Sequence, residues 1–274
     1  MDSAALLQRV DELPRLPKAI SELLDAVNNE NTSVKVISSK VAQDPLISAR
    51  VLRLANSAHF GRSREVGSID EAVVRLGMQT LRTLVIASAV IGAVPKVGGV
   101  ALADFWGETF EVALYCQEMA KRCGAVPEAA FTCGILHSIG DLLIAVVDPE
   151  QAGDIRAAVK AGGVKEEIEQ QTLGYTSAEV GALLALSWKF TPVLVSGIRF
   201  QNAPKKAEPF SPLAALLSLS HRIISDWDDI EADARTSWLS QQATVVGLKM
   251  EMGGLNDKLS DLKGKGFEIG KLLA

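Results

Sequence analysis

Histidine is scarce in this chain: His59, His137 and His221 are the whole supply in 274 residues. A catalytic divalent ion needs about three protein ligands and an open position for water. Three scattered imidazoles leave little from which to build such a site. Cysteine is equally sparse. Cys116, Cys123 and Cys133 cannot all pair, and their spacing fits neither a CxxC metal knuckle nor a redox motif, so they read as buried reduced thiols. Aromatic residues make up 5%, which leaves Leu, Val, Ile and Ala to fill the core and favours helices. No alternating apolar and polar run has the length and flanking turns of a strand. The apolar run from Leu84 to Val94 is about half the roughly 20 residues that span a bilayer. The first residues show no basic stretch followed by an apolar one, so no secretory signal is expected and the protein is expected to be cytoplasmic. A basic excess is missing too. With 28 Lys and Arg against 33 Asp and Glu, the net charge of -5 gives no global attraction to nucleic acid or an anionic membrane.

What is present is a succession of helix signals. Ala19, Ile20, Leu23, Leu24 and Val27 recur at helical spacing after the Pro14 to Pro17 break. Asn31 or Thr32 can cap a helix over Ser33 to Ala42, and Asp44 followed by Pro45 is an N-cap with proline at the first helical position. Ser68-Ile69-Asp70-Glu71 has the capping-box pattern, and Gly77 can close that helix. Met78 to Ala93 reads as an apolar helix, and Val94 to Val100 as a connector between two halves. In the second half Asp104 is expected to cap a helix to about Arg122, Pro127 starts one that reaches His137, and Asp148-Pro149 opens a polar one. Thr176 to Glu179 forms a second capping box, and Thr191-Pro192 and Ser211-Pro212 mark two more starts. After Trp227, Gly253-Gly254 and Gly264-Lys265-Gly266 suggest short helices packed loosely on the body.

Several chemical readings can be weighed on these residues. Ser33 to Asn56, two short helices around a turn, invites a helix-turn-helix reading, but the second helix exposes only Arg50 and Arg53, few groups suited to base edges. Gly264-Lys265-Gly266 resembles a phosphate loop only superficially: the glycine spacing is wrong, and Leu272 stands where a magnesium-binding Ser or Thr belongs. Cys133 and His137, four apart on one helical face, could share a zinc with Glu108, although an apolar helix carrying both is more often plain core. Ser138 directly follows His137, so the two do not face each other as a nucleophile and base would. Trp106, Trp188 and Phe105 read as core anchors. Asn56 reads as a helix cap or a left-handed residue before Gly61.

The stretch Gly134-Ile135-Leu136-His137-Ser138-Ile139-Gly140 resembles the centre of the HD superfamily, where an apolar helix ends in a metal-binding His-Asp pair followed by an apolar residue and glycine. Upstream, Gln43-Asp44-Pro45-Leu46, Val51 to Ala58, Ser68-Ile69 and Leu76-Gly77 resemble the signature of the HDOD family, in order and spacing, over about Leu13 to Pro204. The resemblance implies an all-α fold: an N-terminal helical bundle, residues 1–97, packed on an HD-like helical domain, residues 98–226, followed by a helical tail, residues 227–274. It also implies bacterial signalling. In HD enzymes the ligands are an early histidine, the His-Asp pair and a later aspartate, with more histidines in some members. Here Glu108 stands at the early histidine, Ser138 replaces the aspartate after His137, and Ser177 and Gln201 stand where histidines often occur. The late aspartate position falls near His221. Neutral oxygens offset little of a metal ion's dehydration.

The expectation is therefore a non-catalytic scaffold with no metal and no cofactor, acting through a protein partner held in the groove between the halves. Arg50, Arg53, Arg62 and Arg64 offer guanidinium forks for carboxylates or phosphates. A metal-dependent phosphohydrolase with an atypical site and a nucleic-acid-binding regulator are the alternatives.

Overall fold

The structure, a computed structural model, describes residues 18–29, 31–61, 65–93 and 99–273. Among these residues there are helices and turns and no strand. The first half comprises α1 (Lys18–Asn28), α2 (Val34–Ala42), α3 (Pro45–Ala55), α4 (Ile69–Leu76) and α5 (Met78–Ala93). Leu13 to Leu16, where the HDOD-like signature begins, lies outside the described residues.

The local signals act largely as their chemistry requires. Asp44 accepts the amides of Leu46 and Ile47 at 2.9 and 3.0 Å ahead of Pro45. The N-cap of α2 is Ser33, not Asn31 or Thr32, and its side chain makes no capping bond. Ser68 accepts from Glu71 N, but the Glu71 carboxylate reaches back to Gly67 N at 3.0 Å, so the expected box is stretched by one residue. Asn56 is the C-cap of α3, as expected of a cap, and is not left-handed. At φ -95 it donates to the Val66 carbonyl at 2.9 Å and accepts Val66 N at 2.7 Å, joining the end of α3 to Val66 with one side chain.

All eleven residues from Leu81 to Ile91 of α5 are buried. A helix with no polar face must be surrounded. Helices α1, α3 and α4 of the first half and α7 (Pro127–Leu136) of the second all pack on α5, so the halves join through a shared core. The second half continues from α6 (Leu102–Cys123) through α7 to α8 (Ile139–Val147), α9 (Pro149–Lys160), α10 (Lys165–Leu173), α11 (Ser177–Ser187), α12 (Pro192–Arg199) and α13 (Pro212–Asp226). Asp104 sits inside the first turn of α6, whose N-cap is Ala101. Residues 127–147 are apolar and long enough to cross a membrane, a longer such stretch than Leu84 to Val94, but 83% of that window is buried inside the protein.

The tail is not loosely packed. It forms α14 (Arg235–Val246), α15 (Leu255–Leu262) and α16 (Lys265–Leu273), and α16 runs along α6. Gly266 and Gly270, one turn apart, lie so close to the backbone of Gly107 and Glu111 that any Cβ would overlap it. Glu111, 3% exposed, accepts Gly264 N at 2.6 Å and Gly266 N at 2.7 Å, and Tyr115 donates to it at 3.0 Å. A glutamate on one helix thus caps the N-terminus of another. Arg53 of α3 donates to the Leu272 carbonyl at 2.6 Å, tying the same helix to the first half. Gly266→Ala should therefore cost about 1–3 kcal/mol in denaturant unfolding and raise amide hydrogen exchange selectively over residues 264–273. Unchanged exchange there would show that α16 absorbs the added methyl group.

Candidate functional site: a cavity around the His137–Ser138 turn

Two glycines bracket the break between α7 and α8. Gly134 lies against the Ala113 backbone of α6, and Gly140 against the Ser177 carbonyl and the Gly181 amide of α11. These close approaches bring four helices to one turn. His137 caps α7, and its Nδ1 lies 2.6 Å from the Gly134 carbonyl, which assigns the ring proton to Nδ1 and leaves the Nε2 lone pair open. Gln201 Nε2 donates to the carbonyls of His137 at 3.0 Å and Ile198 at 2.9 Å. Ser138 and Thr109 share a hydroxyl hydrogen bond of 3.0 Å. Ser177, the first residue of the helix capped by the reciprocal Thr176–Glu179 box, donates its amide to Glu169 at 2.9 Å.

Around this turn is a cavity of about 590 Å³ lined by Glu108, His137, Ser138, Ser177 and Gln201 together with His221. The cavity lies inside the second half, between residues 100 and 225, not in the groove between the halves. The rings of His137 and His221 stand 5.0 Å apart. Burial pushes His137 down to about 4, against the Gly134 bond and Asp141, and Lys165 adds to the depression. Burial, then His137 and Lys165, drives His221 well below the ordinary histidine range. Both imidazoles are therefore neutral near pH 7. Glu108 reaches solvent at the rim, yet burial of its carboxyl raises it above the usual carboxylate value, Lys165 opposing and Asp141 assisting.

Sequence reasoning missed α10 and with it the strongest electrostatic feature of the cavity. Lys165 Nζ lies 2.6 Å from Asp141 Oδ1 and 3.8 Å from Glu169 Oε1. Burial works against the ammonium, but Asp141 and Glu169 outweigh it and hold Lys165 above the ordinary lysine value. Glu169, 1% exposed, is itself raised by burial while Lys165 and the Ser177 bonds pull it down. The available signal was Gly162-Gly163 followed by acids in a first helical turn. It carries no apolar stripe, so periodicity did not find it.

A family model described as HDOD domain matches residues 13–204. The chain belongs to the HDOD family. A Shewanella amazonensis structure, named provisionally as a phosphohydrolase, is 64% identical over 99% of this chain and 98% of its own, with a TM-score of 0.92. A Marinobacter aquaeolei structure, named provisionally as a signal transduction protein, is 21% identical over 97% of this chain and 61% of its own, with a TM-score of 0.80. An uncharacterised Treponema pallidum protein is 26% identical over 226 residues; the match covers 81% of this chain and 44% of the length of that relative.

The HD fold implies a metal, and the side chains of this HDOD cavity do not suit one. Among the described residues no three His, Cys, Asp or Glu side chains are grouped to hold an ion. Ser138, Ser177 and Gln201 offer neutral oxygens, and Asp141 and Glu169 are engaged by Lys165. Cys133 does not line the cavity. Its buried thiol faces the Leu194 carbonyl at 3.9 Å and is pushed well up by desolvation, which sets aside the Cys133–His137–Glu108 zinc reading. Trp106 and Trp188 are core residues, whereas Phe105 forms part of the cavity wall. Arg50 and Arg53 do not line the cavity: Arg50 packs over Gly92 and Arg53 holds Leu272, while Arg62 and Arg64 lie outside the described residues.

The depressed His137 sets the sign of a pH dependence. Between about 4 and 6.5 the unfolded chain binds a proton that the folded site refuses, so stability present above pH 6.5 is lost as pH falls toward 4. The loss reaches ~3 kcal/mol for this group. Raised Glu111 and Glu169 act oppositely, favouring the fold as they protonate. Comparing unfolding free energy with that of His137→Gln from pH 7 to 4 isolates the histidine: the variant should lose less. Parallel curves would place His137 in a solvated setting.

Proposed function

We propose that this HDOD protein is a non-catalytic, cytoplasmic signalling scaffold that acts through a protein partner. One observation carries the reading: the cation in the HD cavity is the chain's own Lys165, bridged to Asp141 and Glu169. An ammonium supplies positive charge without an open coordination position, so it does not turn water into a nucleophile as a bound divalent ion does. The provisional naming of the Marinobacter relative as a signal transduction protein agrees with this. The competing reading, a metal-dependent phosphohydrolase with an atypical site, draws on the naming of the Shewanella relative and on the facing His137 and His221 rings. A nucleic-acid regulator is disfavoured by the net charge of -5.

The partner surface is assigned to the arginines of the first half. Since Arg53 already serves α16, the test falls on Arg62 and Arg64. Charge reversal at both should weaken a partner captured from native cells by about tenfold without changing helicity; unaltered binding would move the surface elsewhere. Protein purified with manganese, iron and zinc present should carry well under one ion per chain by elemental analysis. It should also hydrolyse bis(p-nitrophenyl) phosphate no faster than His137→Gln. A stoichiometric ion with hydrolysis abolished in the variant would establish the phosphohydrolase instead.

A further inference from the structure

The charges of the cavity are sorted by pairing. Lys165, itself partly exposed, is engaged by Asp141 at 2.6 Å and Glu169 at 3.8 Å, and burial keeps both imidazoles neutral, so the floor around His137 and Gln201 has no free cation. Two of its open valences are lone pairs, at His137 and Gln201, and the neutral His221 ring adds one donor and one acceptor. His137 Nδ1 faces the Gly134 carbonyl, which leaves Nε2 as an acceptor, and Gln201 Nε2 already donates to two carbonyls, which leaves Oε1. Above the floor the wall is apolar, built from Phe105, Leu142, Ile144, Ile155, Val159 and Ile224. The free cations are at the rim. Arg156 and Lys160, four residues apart on α9, are exposed and form no ion pair among the described residues. Arg156 extends toward the backbone at Gly99.

We infer that the cavity binds an amphipathic organic monoanion. Its anionic group rests on Arg156 and Lys160, its ring-sized apolar body lies between α8, α9 and α13, and an N–H or O–H at its inner end donates to His137 Nε2 and Gln201 Oε1. The volume of about 590 Å³ falls within the ~300–1,000 Å³ of small-molecule sites. The reverse orientation fails, because an anion on the floor would meet neutral imidazoles and the Asp141 and Glu169 carboxylates, leaving its charge uncompensated. Glu108 and Glu166 also line the cavity, which favours a single negative charge over a polyanion. This assignment rests on reading the cavity as a receptor and not as a reaction chamber.

Two dyes with one ring system separate its parts. 8-Anilinonaphthalene-1-sulfonate has an aryl body, one N–H and one sulfonate; N-phenyl-1-naphthylamine lacks only the sulfonate. By fluorescence titration of the full chain the sulfonate should bind once per chain. Arg156→Gln with Lys160→Gln should weaken it by about tenfold and leave the neutral dye within about twofold, as expected for two exposed cations. Ala145→Phe, which fills the wall, should abolish both; Ile224→Trp serves if that variant melts early. The inference is overturned if the rim variant leaves sulfonate binding unchanged, if both dyes weaken equally, or if a folded, filled variant still binds. Hydrolysis of bis(p-nitrophenyl) phosphate by the unaltered protein would overturn the non-catalytic reading and leave the dye pattern untouched.

Discussion

Gly140 rests on the carbonyl of Ser177 and the amide of Gly181, with no room for a side chain. That contact is the constraint on which the HD half depends. It lets α8 and α11 touch backbone to backbone, as Gly134 does for α7 and α6. Interiors are packed too tightly for either contact to relax around an added carbon. Once these pairs are set, the His137–Ser138 turn has one place to go. Ser138 then meets Thr109, Ser177 offers its amide to Glu169, and Gln201 reaches the His137 carbonyl. The glycines that flank the histidine motif are thus the geometric cause of the cavity floor.

Lys165 is the electrostatic counterpart of that geometry. Without it, Asp141 and the buried Glu169 would face one low-polarity wall as two unpaired carboxylates, an arrangement that raises pKa values or costs several kcal/mol. With it, both carboxylates have a cationic partner, and burial, helped by the ammonium's own charge, keeps the two imidazoles deprotonated in the same cavity. A tethered ammonium also arrives with the chain, so its local concentration depends on no supply of ions. The floor therefore offers acceptors, and charge is left to the rim.

What was legible in the sequence was local. Asp44, Ser68, Thr176 and Ser211 announce helices because a cap and its amides lie within three residues of each other. The order of motifs brought Glu108, His137, Ser138, Ser177 and Gln201 to one cavity, although no pairwise spacing could show it. Where the relevant partner is distant, reading failed. Asp104 looks like a cap because acids favour both the cap and the first turn. Gly264-Lys265-Gly266 reads as a turn between loosely packed short helices, whereas Gly266 and Gly270 are contacts with α6, visible only with Gly107 and Glu111 opposite. Lys165 stayed hidden on a helix without an apolar stripe, and the Asn56–Val66 pairing has no signature at all.

The clasp between Glu111 and α16 joins residues 153 and 155 positions apart in sequence. At about 5–20 residues per second, a ribosome takes on the order of 10–30 s to travel from one end of that contact to the other. Throughout that interval α6 carries a carboxylate awaiting its amides and a bare glycine groove at Gly107. The nascent helix is thus an open half of an interface whose other half is α16, with Gly266 and Gly270 against it. Until Gly264 and Gly266 are made, the α6 side of that contact has no partner on the chain, so its closure follows the translation of α16.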